Sequence, residues 1–241
     1  MELVLVLRLW NILVNRTVIR WNLFLLLNYE IKVHSPQHHG WIESILEKEH
    51  VDFLWQRIEE AEKGDVRDVK GRLAGNISRS SAMTDDEDGT FLNQVLLPQV
   101  EMYRKMNQGR DPVSLPVNAD LELYIHDLWV NHQYKHEFNP YHFHGGMYSF
   151  VIWMKIPTNW KEQNQLPFLD GINEDNKKVS NFEFEYLDML GSIKHYGYRL
   201  DSSMEGHMLF FPARLQHTVY PFYNCDEDRI SIAGNLWYRE V

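Results

Sequence analysis

Three histidines are spaced in a way that suits a metal site. His142 and His144 stand two positions apart in the segment Asn139–Gly146, which reads NPYHFHGG, and His217 follows much later. Side chains two positions apart in an extended strand point to the same face, so the first two could converge on one ion. Imidazole binds iron, copper, zinc and nickel, so the ligand type alone does not select the metal. We predict a mononuclear metal site with these three ligands at the mouth of a β-sandwich or barrel.

Residues further downstream could bind an anion beside the metal. Arg229 and Ser231 are two positions apart in a strand-like segment and therefore face the same side. Arginine offers a planar fork that binds a carboxylate through two hydrogen bonds, and the serine hydroxyl adds a donor. We predict that they form a carboxylate clamp deeper inside than the histidines. Asn131 and Asn235 are further candidates for cofactor binding, since strand periodicity allows both to face the pocket; the alternative for each is a structural role.

The elements that position these residues are predicted to be strands. From about residue 119 the chain has short aromatic and β-branched segments separated by turn residues, which is typical of a sandwich or barrel. The predicted strands are Leu121–Tyr134, Gly146–Ile156, Phe182–Tyr186, Met208–Phe211, Thr218–Phe222 and Arg229–Trp237. The second of these is nearly all apolar and is expected to be buried on both faces. The polar segment Thr158–Asn181 has no clear period and is predicted to be a lid or binding loop.

The preceding part of the chain is predicted to be mostly helical, from apolar residues at helical spacing. The predicted helices are Trp41–Leu46, Val51–Ala61 and Phe91–Met106. Pro98 implies a kink or a late start in the third helix. Tyr29–Val33 alternates like a short strand. The acidic run Asp85–Gly89 is predicted to be a solvated loop, because it lacks the ligand spacing of an EF-hand calcium loop.

The length of 241 residues predicts one domain with a substantial core. Residues 1–28 differ from the rest, because they are rich in leucine, valine and tryptophan but interrupted by three arginines. They lack the uninterrupted apolar run of a transmembrane helix and the cleavage site of a signal peptide. We interpret 1–28 as an N-terminal extension, with a membrane-surface anchor as the alternative. Residues 29–241 are predicted to be a single domain, with helical support over about 36–118 and a strand-rich core over about 119–241.

The net charge and the cysteine content restrict the classes of partner and the cellular compartment that we expect. The formal net charge is −10, and surfaces that bind nucleic acid are usually basic, so nucleic acid is not an expected partner. A membrane is not expected either, apart from residues 1–28. Cys225 is the single cysteine, which excludes an intramolecular disulfide, fits a reducing compartment and predicts a cytoplasmic protein. The substrate is expected to be a small molecule or a protein, and the oligomeric state is left open.

Four motifs lie along the second half of the chain. They are N-P-x-H-x-H-x-G over 139–146, the apolar strand Ser149–Val151, G-x-x-x-F-F-P-x-x-x-x-H-x-V over 206–219 and D-R-I-S-I-x-x-N over 228–235. Together they resemble the Fe(II)/2-oxoglutarate-dependent oxygenases found in phage and bacterial genomes. The resemblance covers roughly residues 120–238. It implies a mainly β fold with N-terminal helices and a double-stranded β-helix (jelly-roll) core.

The resemblance also implies cofactors and an activity. The histidines would hold Fe(II), and 2-oxoglutarate would chelate that iron with its distal carboxylate on Arg229 and Ser231. The implied enzyme is a 2-oxoglutarate-dependent dioxygenase that hydroxylates an unidentified substrate and forms succinate and CO₂. The same resemblance points to a phage-encoded protein in a bacterial host.

One position departs from the usual pattern of this superfamily. The usual ligand set is His-x-Asp/Glu with a distal histidine, whereas position 144 holds a histidine. The alternatives are a three-histidine site, or a two-histidine site in which water takes the third position and either His142 or His144 is spare. A His-x-Asp motif occurs at His50–Asp52, within a predicted helix. Residues two apart in a helix do not share a face, so we do not expect this motif to bind the metal.

Two other functions are compatible with the same residues. A three-histidine metalloenzyme of the cupin type, either a dioxygenase or a hydrolase, would not use 2-oxoglutarate, and Arg229 would bind substrate or make a structural pair. A non-catalytic jelly-roll protein, acting in binding or within a virion, would keep the metal site without turnover. The first predicts metal binding without 2-oxoglutarate binding, and the second predicts that loss of Arg229 is tolerated.

Overall fold

The computed structural model describes residues 39–63, 71, 74–113 and 120–241. These residues belong to a compact unit, Gln37–Val241. The predicted extension 1–28, its boundary with the domain and the predicted strand Tyr29–Val33 lie outside the described residues. Among the described residues, none of the helices combines the length and the apolar character that a membrane-spanning segment needs.

In the part of the chain that the structure describes, ten strands form two antiparallel sheets. The strands are β1 (Ile42–Ile45), β2 (Arg79–Ala82), β3 (Leu121–Gln133), β4 (Asn139–His142), β5 (Tyr148–Lys155), β6 (Phe182–Leu187), β7 (Ile193–Tyr198), β8 (His207–Pro212), β9 (Gln216–Val219) and β10 (Arg229–Glu240). The major sheet has the order β1-β8-β5-β10-β3-β2, and the minor sheet has the order β4-β9-β6-β7. This mainly β architecture of two packed sheets confirms the predicted jelly-roll fold.

Helices cover one face of the major sheet. α1 (Lys48–Lys63) is followed by a π-helical segment, Leu92–Leu96, which continues into α2 (Leu97–Met106). Pro98 lies just after the junction of the π-helical segment with α2, and because proline has no N–H, one intrahelical hydrogen bond is missing there. The apolar side chains that join these helices to the sheet include Leu54, Ile58, Val95, Val100, Tyr103, Tyr148, Phe150 and Met208. Burial of this layer leaves the opposite face of the sheet to form the interior of the sandwich.

The interior between the two sheets contains a second apolar cluster. Trp153, Leu209 and Phe211 of the major sheet pack with Phe182 and Phe184 of the minor sheet. β5 lies between β8 and β10, and six of its eight residues are buried. The prediction that this strand is buried on both faces is therefore confirmed. The apolar cluster closes one part of the interior, and a cavity occupies the neighbouring part.

Several element boundaries differ from those predicted. Trp41–Leu46 was wrong as a helix, because Ile42–Ile45 pairs with β8 as an edge strand. A segment of four residues is too short to separate the helical period from the strand period. The unpaired edge of β8 offers hydrogen-bond partners, and the segment therefore forms a strand. The predicted strand Thr218–Phe222 ends at Val219, since Pro221 has no N–H to donate to a sheet. β2 and β7 are not among the predicted strands because β2 is polar and most of β7 is exposed.

The acidic run has a structural role as well as an exposed face. The carboxylate of Asp85 accepts hydrogen bonds from the backbone N–H groups of Phe91 at 3.0 Å and Leu92 at 2.9 Å. Asp86 accepts a further bond from the N–H of Thr90 at 2.6 Å. These are the N–H groups that the start of a helix leaves without an intrahelical partner. The run therefore caps the helical segment that leads into α2, instead of being only a solvated loop.

The segment predicted as a lid has short helices of its own. It contains α3 (Trp160–Gln163) and two 3₁₀ turns, Pro167–Leu169 and Glu174–Asn176. A small apolar cluster of Leu166, Leu169 and Val179 holds it together. Its last part enters the interior of the domain, where Ser180 is fully buried. The role of this segment as a lid stays a prediction.

Candidate metal centre

The structure brings the three predicted metal ligands together. His142 and His217 are directly opposite each other in the β4–β9 pair, and their ring centroids are 4.2 Å apart. His144 follows the end of β4, and its backbone N–H donates to the carbonyl of Ala213 at 2.8 Å. The Nε2 atoms of His144 and His217 are 3.2 Å apart. One ring nitrogen from each histidine lies within 4.8 Å of the others, so the three could bind a single ion.

Backbone carbonyls orient two of these rings. Nδ1 of His142 lies 2.7 Å from the carbonyl oxygen of Pro140, and Nδ1 of His217 lies 3.0 Å from that of Leu215. A carbonyl oxygen only accepts, so each Nδ1 carries the proton and each Nε2 keeps its lone pair. This is the arrangement in which the second ring nitrogen of a metal-binding histidine is held by a hydrogen bond.

Burial keeps the three imidazoles neutral. It lowers the pKa of His142 below its usual value, and it lowers the pKa of His217 further, aided by the neighbouring His142 and His144. Burial, with a contribution from His142, lowers the pKa of His144 to about 4. A histidine must be neutral to bind a metal, so the site is ready for one at physiological pH. The donor set therefore fits a divalent transition metal.

The histidines line a cavity of about 470 Å³ between the two sheets. Its wall on the major sheet includes Asn131, Ser231 and Asn235, all named from the sequence. Asp127 also lines it and is the one carboxylate to do so among the described residues. A cavity of this size, lined by both apolar and polar side chains and by the candidate metal ligands, is suited to a small molecule.

Arg229 lies behind this cavity and does not line it. The side chain is buried at the start of β10, two positions from Ser231. Its guanidinium donates to Gln133 Oε1 at 3.2 Å, to the carbonyl oxygen of Ser180 at 3.1 Å and to the Ser180 hydroxyl. Phe222 stacks over it, with the guanidinium carbon 5.1 Å from the ring centre. Among the described residues, neutral groups thus hold a fully buried cation in place.

The charge of Arg229 has no anionic partner among the residues that the structure describes. Its Nε also has no hydrogen-bond partner there. Burial lowers the pKa of Arg229 to about 9. A buried charge is normally paired, because leaving it unpaired is strongly unfavourable. The environment of Arg229 therefore fits a bound carboxylate, which is the part of 2-oxoglutarate that the sequence analysis places there.

The two candidate asparagines face the cavity but are engaged with the protein. Asn131 Oδ1 accepts from the Ser80 hydroxyl at 2.8 Å. Asn235 Oδ1 accepts from the Ser149 hydroxyl at 2.6 Å, and its amide N–H donates to Asp127 at 3.3 Å. Their predicted part in cofactor binding stays a prediction.

Some cavity residues were missed by the sequence analysis. Asp127 and Trp129 lie on β3 at the same period of two as Asn131, and this alternation was the signal that could have found them. Asn139 also lines the cavity, although it stands three positions before His142 and a regular strand would turn it outward. Phe143 also lines the cavity, and its position between the two histidines had made it a candidate for shaping the substrate mouth.

Sequence and structure comparisons place this domain among known proteins. The two-sheet fold and the histidine-lined cavity define a jelly-roll domain with a candidate metal site. Residues 127–235 match the model of a family described as "Putative 2OG-Fe(II) oxygenase". The matched segment contains the three histidines, Arg229 and Ser231, and it confirms the resemblance to 2-oxoglutarate/Fe(II) oxygenases that the motifs indicate. A comparison with curated proteins finds no match.

Solved structures of similar fold include a prolyl-4-hydroxylase from Pseudomonas putida, at 14% identity and a TM-score of 0.48, covering 84% of this chain and 94% of that one. A second is a prolyl hydroxylase from Trichoplax adhaerens in complex with a peptide fragment of the hypoxia inducible factor oxygen degradation domain. It is 15% identical with a TM-score of 0.47, and the match covers 84% of each chain. A third is the epimerase SnoN of nogalamycin biosynthesis, at 13% identity and a TM-score of 0.49, covering 84% of this chain and 78% of that one. At these identities, no function or substrate is carried over from them.

Proposed function

We propose that this protein is an Fe(II)- and 2-oxoglutarate-dependent dioxygenase that hydroxylates a substrate still to be identified, with formation of succinate and CO₂. The observation that carries the proposal is the pairing of two features. Three neutral imidazoles converge in one cavity, and a buried arginine without an anionic partner lies behind its wall. Bound iron and 2-oxoglutarate would supply the oxidising chemistry with O₂, which amino-acid side chains do not carry.

His142, His144 and His217 would hold Fe(II) in this proposal. The bonds to the Pro140 and Leu215 carbonyls direct the Nε2 lone pairs of His142 and His217 into the cavity. Aromatic rings shield the His217 side from water, with the centroids of Phe182 and Phe211 at 5.5 and 5.1 Å from that of His217. These contacts support a site that holds its ligands in place before the ion arrives.

Arg229 and Ser231 would hold the distal carboxylate of 2-oxoglutarate. The serine lies in the cavity wall, and Gln133 and Ser180 orient the guanidinium behind it. A carboxylate at Arg229 would neutralise a charge that burial otherwise disfavours. The chain therefore supplies the binding energy and the orientation for the cofactor through residues of β3, β10 and the end of the predicted lid segment.

A three-histidine metalloenzyme that does not use 2-oxoglutarate is the second candidate. It is favoured by one observation, the histidine at position 144 where the superfamily usually has a carboxylate. In that case Arg229 would bind part of the substrate or serve the fold. The two candidates differ in whether 2-oxoglutarate binds to the metal-loaded protein.

The test is anaerobic loading with Fe(II), followed by titration with 2-oxoglutarate and measurement of the visible absorption of the Fe(II)–2-oxoglutarate chelate. We expect the band in the wild-type protein and its loss in His217→Ala. Arg229→Gln should keep iron binding but raise the Kd of 2-oxoglutarate about 10- to 100-fold, as expected for a lost hydrogen bond to a charged group. Arg214→Gln makes the same change at an exposed position and should leave the Kd unchanged.

The other outcomes separate the candidates. Iron binding without the chelate band would favour the three-histidine enzyme and overturn the use of 2-oxoglutarate. Failure to bind any metal would favour a non-catalytic protein. Release of succinate that depends on both Fe(II) and O₂ would support the dioxygenase, and a screen of small molecules and peptides for stimulated succinate release would then identify the substrate.

A further inference from the structure

β4 contains a bulge next to the metal ligands. Asn139 is opposite Val219 and His142 is opposite His217, so three steps along β4 match two steps along β9. In a regular strand, residues three apart point to opposite faces. The extra residue of a β-bulge changes the direction of a side chain, and such bulges are frequent beside active sites. Here the bulge lets both Asn139 and His142 line the cavity.

The amide of Asn139 lies against the metal-binding atom of His142. Its Nδ2 is 3.1 Å from Nε2 of His142, the nitrogen whose lone pair is available because Nδ1 is bonded to Pro140. The residue is 8% exposed, and its Oδ1 has no hydrogen-bond partner among the described residues. A buried acceptor without a donor is rare in folded proteins and requires an explanation. A cation in the cavity would provide one if the amide turned its oxygen toward the ion.

A glycine supports the other side of this residue. A Cβ on Gly75 would lie 2.1 Å from the carbonyl oxygen of Phe138, 2.6 Å from Cα of Asn139 and 2.8 Å from its Oδ1. Backbone atoms cannot yield as a flexible side chain can, so only glycine fits there. Gly75 thus allows the chain to pack directly behind the bulge and keeps Asn139 in the cavity wall.

The contact between Asn139 and His142 cannot survive metal binding. Once Nε2 of His142 binds an ion, it no longer accepts a hydrogen bond from the Asn139 amide. The terminal torsion of asparagine is soft and roughly two-fold, so a half turn exchanges Nδ2 and Oδ1 with little change elsewhere. That turn would present a carbonyl-type oxygen, an established donor to divalent cations, toward the ion.

We propose that Asn139 is a member of the metal centre and supplies through Oδ1 the oxygen donor that the His-x-His motif lacks. The inference rests on the proposed metal site at His142, His144 and His217. The amide takes the place of the missing carboxylate, three positions before His142 instead of two after it, and the bulge in β4 makes this position possible. A neutral amide gives the centre one negative charge less than a carboxylate would.

The experiment titrates the full chain with Co(II) alone, and it measures the Kd and the visible d–d absorption of bound Co(II). We expect Asn139→Ala to raise the Kd about 10- to 100-fold, the range found when a group supporting a metal ligand is removed. Asn139→Asp should restore or tighten binding, because a carboxylate is an anionic oxygen donor at the same place. Both variants should shift the Co(II) spectrum. Asn176→Ala, at an exposed asparagine, should change neither quantity.

The outcomes distinguish this inference from the proposed metal site. If wild-type protein binds Co(II), His217→Ala does not, and Asn139→Ala binds like wild type, Asn139 has no part in the centre. If Asn139→Asp is as weak as Asn139→Ala, the residue acts through its N–H donor, and the oxygen donor is overturned. If the wild-type chain binds no Co(II), both the proposed metal site and the role of Asn139 are overturned. Thermal unfolding of each variant without metal verifies that it folds.

Discussion

The properties of the candidate metal centre depend first on how single residues are held. The carbonyls of Pro140 and Leu215 select the tautomers of His142 and His217, so these two rings need not reorganise when an ion arrives. Burial makes all three imidazoles poor bases, which removes competition from protons. Arg229 is oriented in the same manner by neutral acceptors, Gln133 and Ser180. The neighbouring acceptors therefore fix the orientation of the side chains that would contact the cofactors.

The pKa of His144 leads to a prediction for the metal-free protein. The pKa falls from an ordinary value of 6.5 to about 4 on folding, so between these values the unfolded chain binds more protons than the folded one. Stability should therefore be complete above about pH 6.5 and decrease as the pH falls toward 4. Chemical denaturation at several pH values, in the presence of a chelator, measures this slope. His144→Asn should reduce the slope; an unchanged slope would show that His144 contributes nothing to it.

Secondary-structure elements bring the functional residues together through their pairing. Neighbouring strands β4 and β9 place His142 beside His217, and β10 carries Ser231 and Arg229 on one face. The helical layer packs on the other face of the major sheet and contributes to the stability of the domain. The capping of this layer by Asp85 is one place where that contribution can be measured separately from function.

Asp85→Ala should lower the free energy of unfolding by about 1 kcal/mol, the usual effect of losing a helix cap. The loss follows because the N–H groups of Phe91 and Leu92 would lose their acceptor. Asp85→Asn keeps one acceptor oxygen and should lie between wild type and Asp85→Ala. Urea denaturation measures the difference, with Asp88→Ala as a control at an exposed neighbour. An equal effect of the two alanine variants would contradict the capping role, and metal binding should be unaffected in both.

At the scale of the whole molecule, the formal net charge of −10 limits the partners. A backbone-neutralising surface for nucleic acid needs an excess of lysine and arginine. We expect the Kd for double-stranded DNA to be larger than about 10⁻⁴ M at physiological salt, which is weaker than typical non-specific binding. A mobility-shift assay at increasing salt, with a basic DNA-binding domain in parallel, measures this. Salt-sensitive binding in the micromolar range would reveal a local basic groove instead.

Much of the site could be predicted from spacing alone. Residues two apart share a face of a strand, so His142 with His144, and Arg229 with Ser231, were placed together without knowledge of the fold. Trp41–Leu46 was wrong because a short segment satisfies both helical and strand periods, and the unpaired edge of β8 settles the choice. Asn139 was missed because a bulge reverses the face that simple alternation predicts.

The amino-acid sequence by itself determined the β-rich core, the donor types of the candidate metal site and the candidate pair for binding a carboxylate, because these follow from residue chemistry and local period. Only the tertiary structure decided that His142 faces His217 across two strands, that Asn139 lines the cavity, and that Arg229 is buried behind the wall with Ser180. These relations join residues far apart in the chain. They depend on strand register and on burial, which no local pattern encodes.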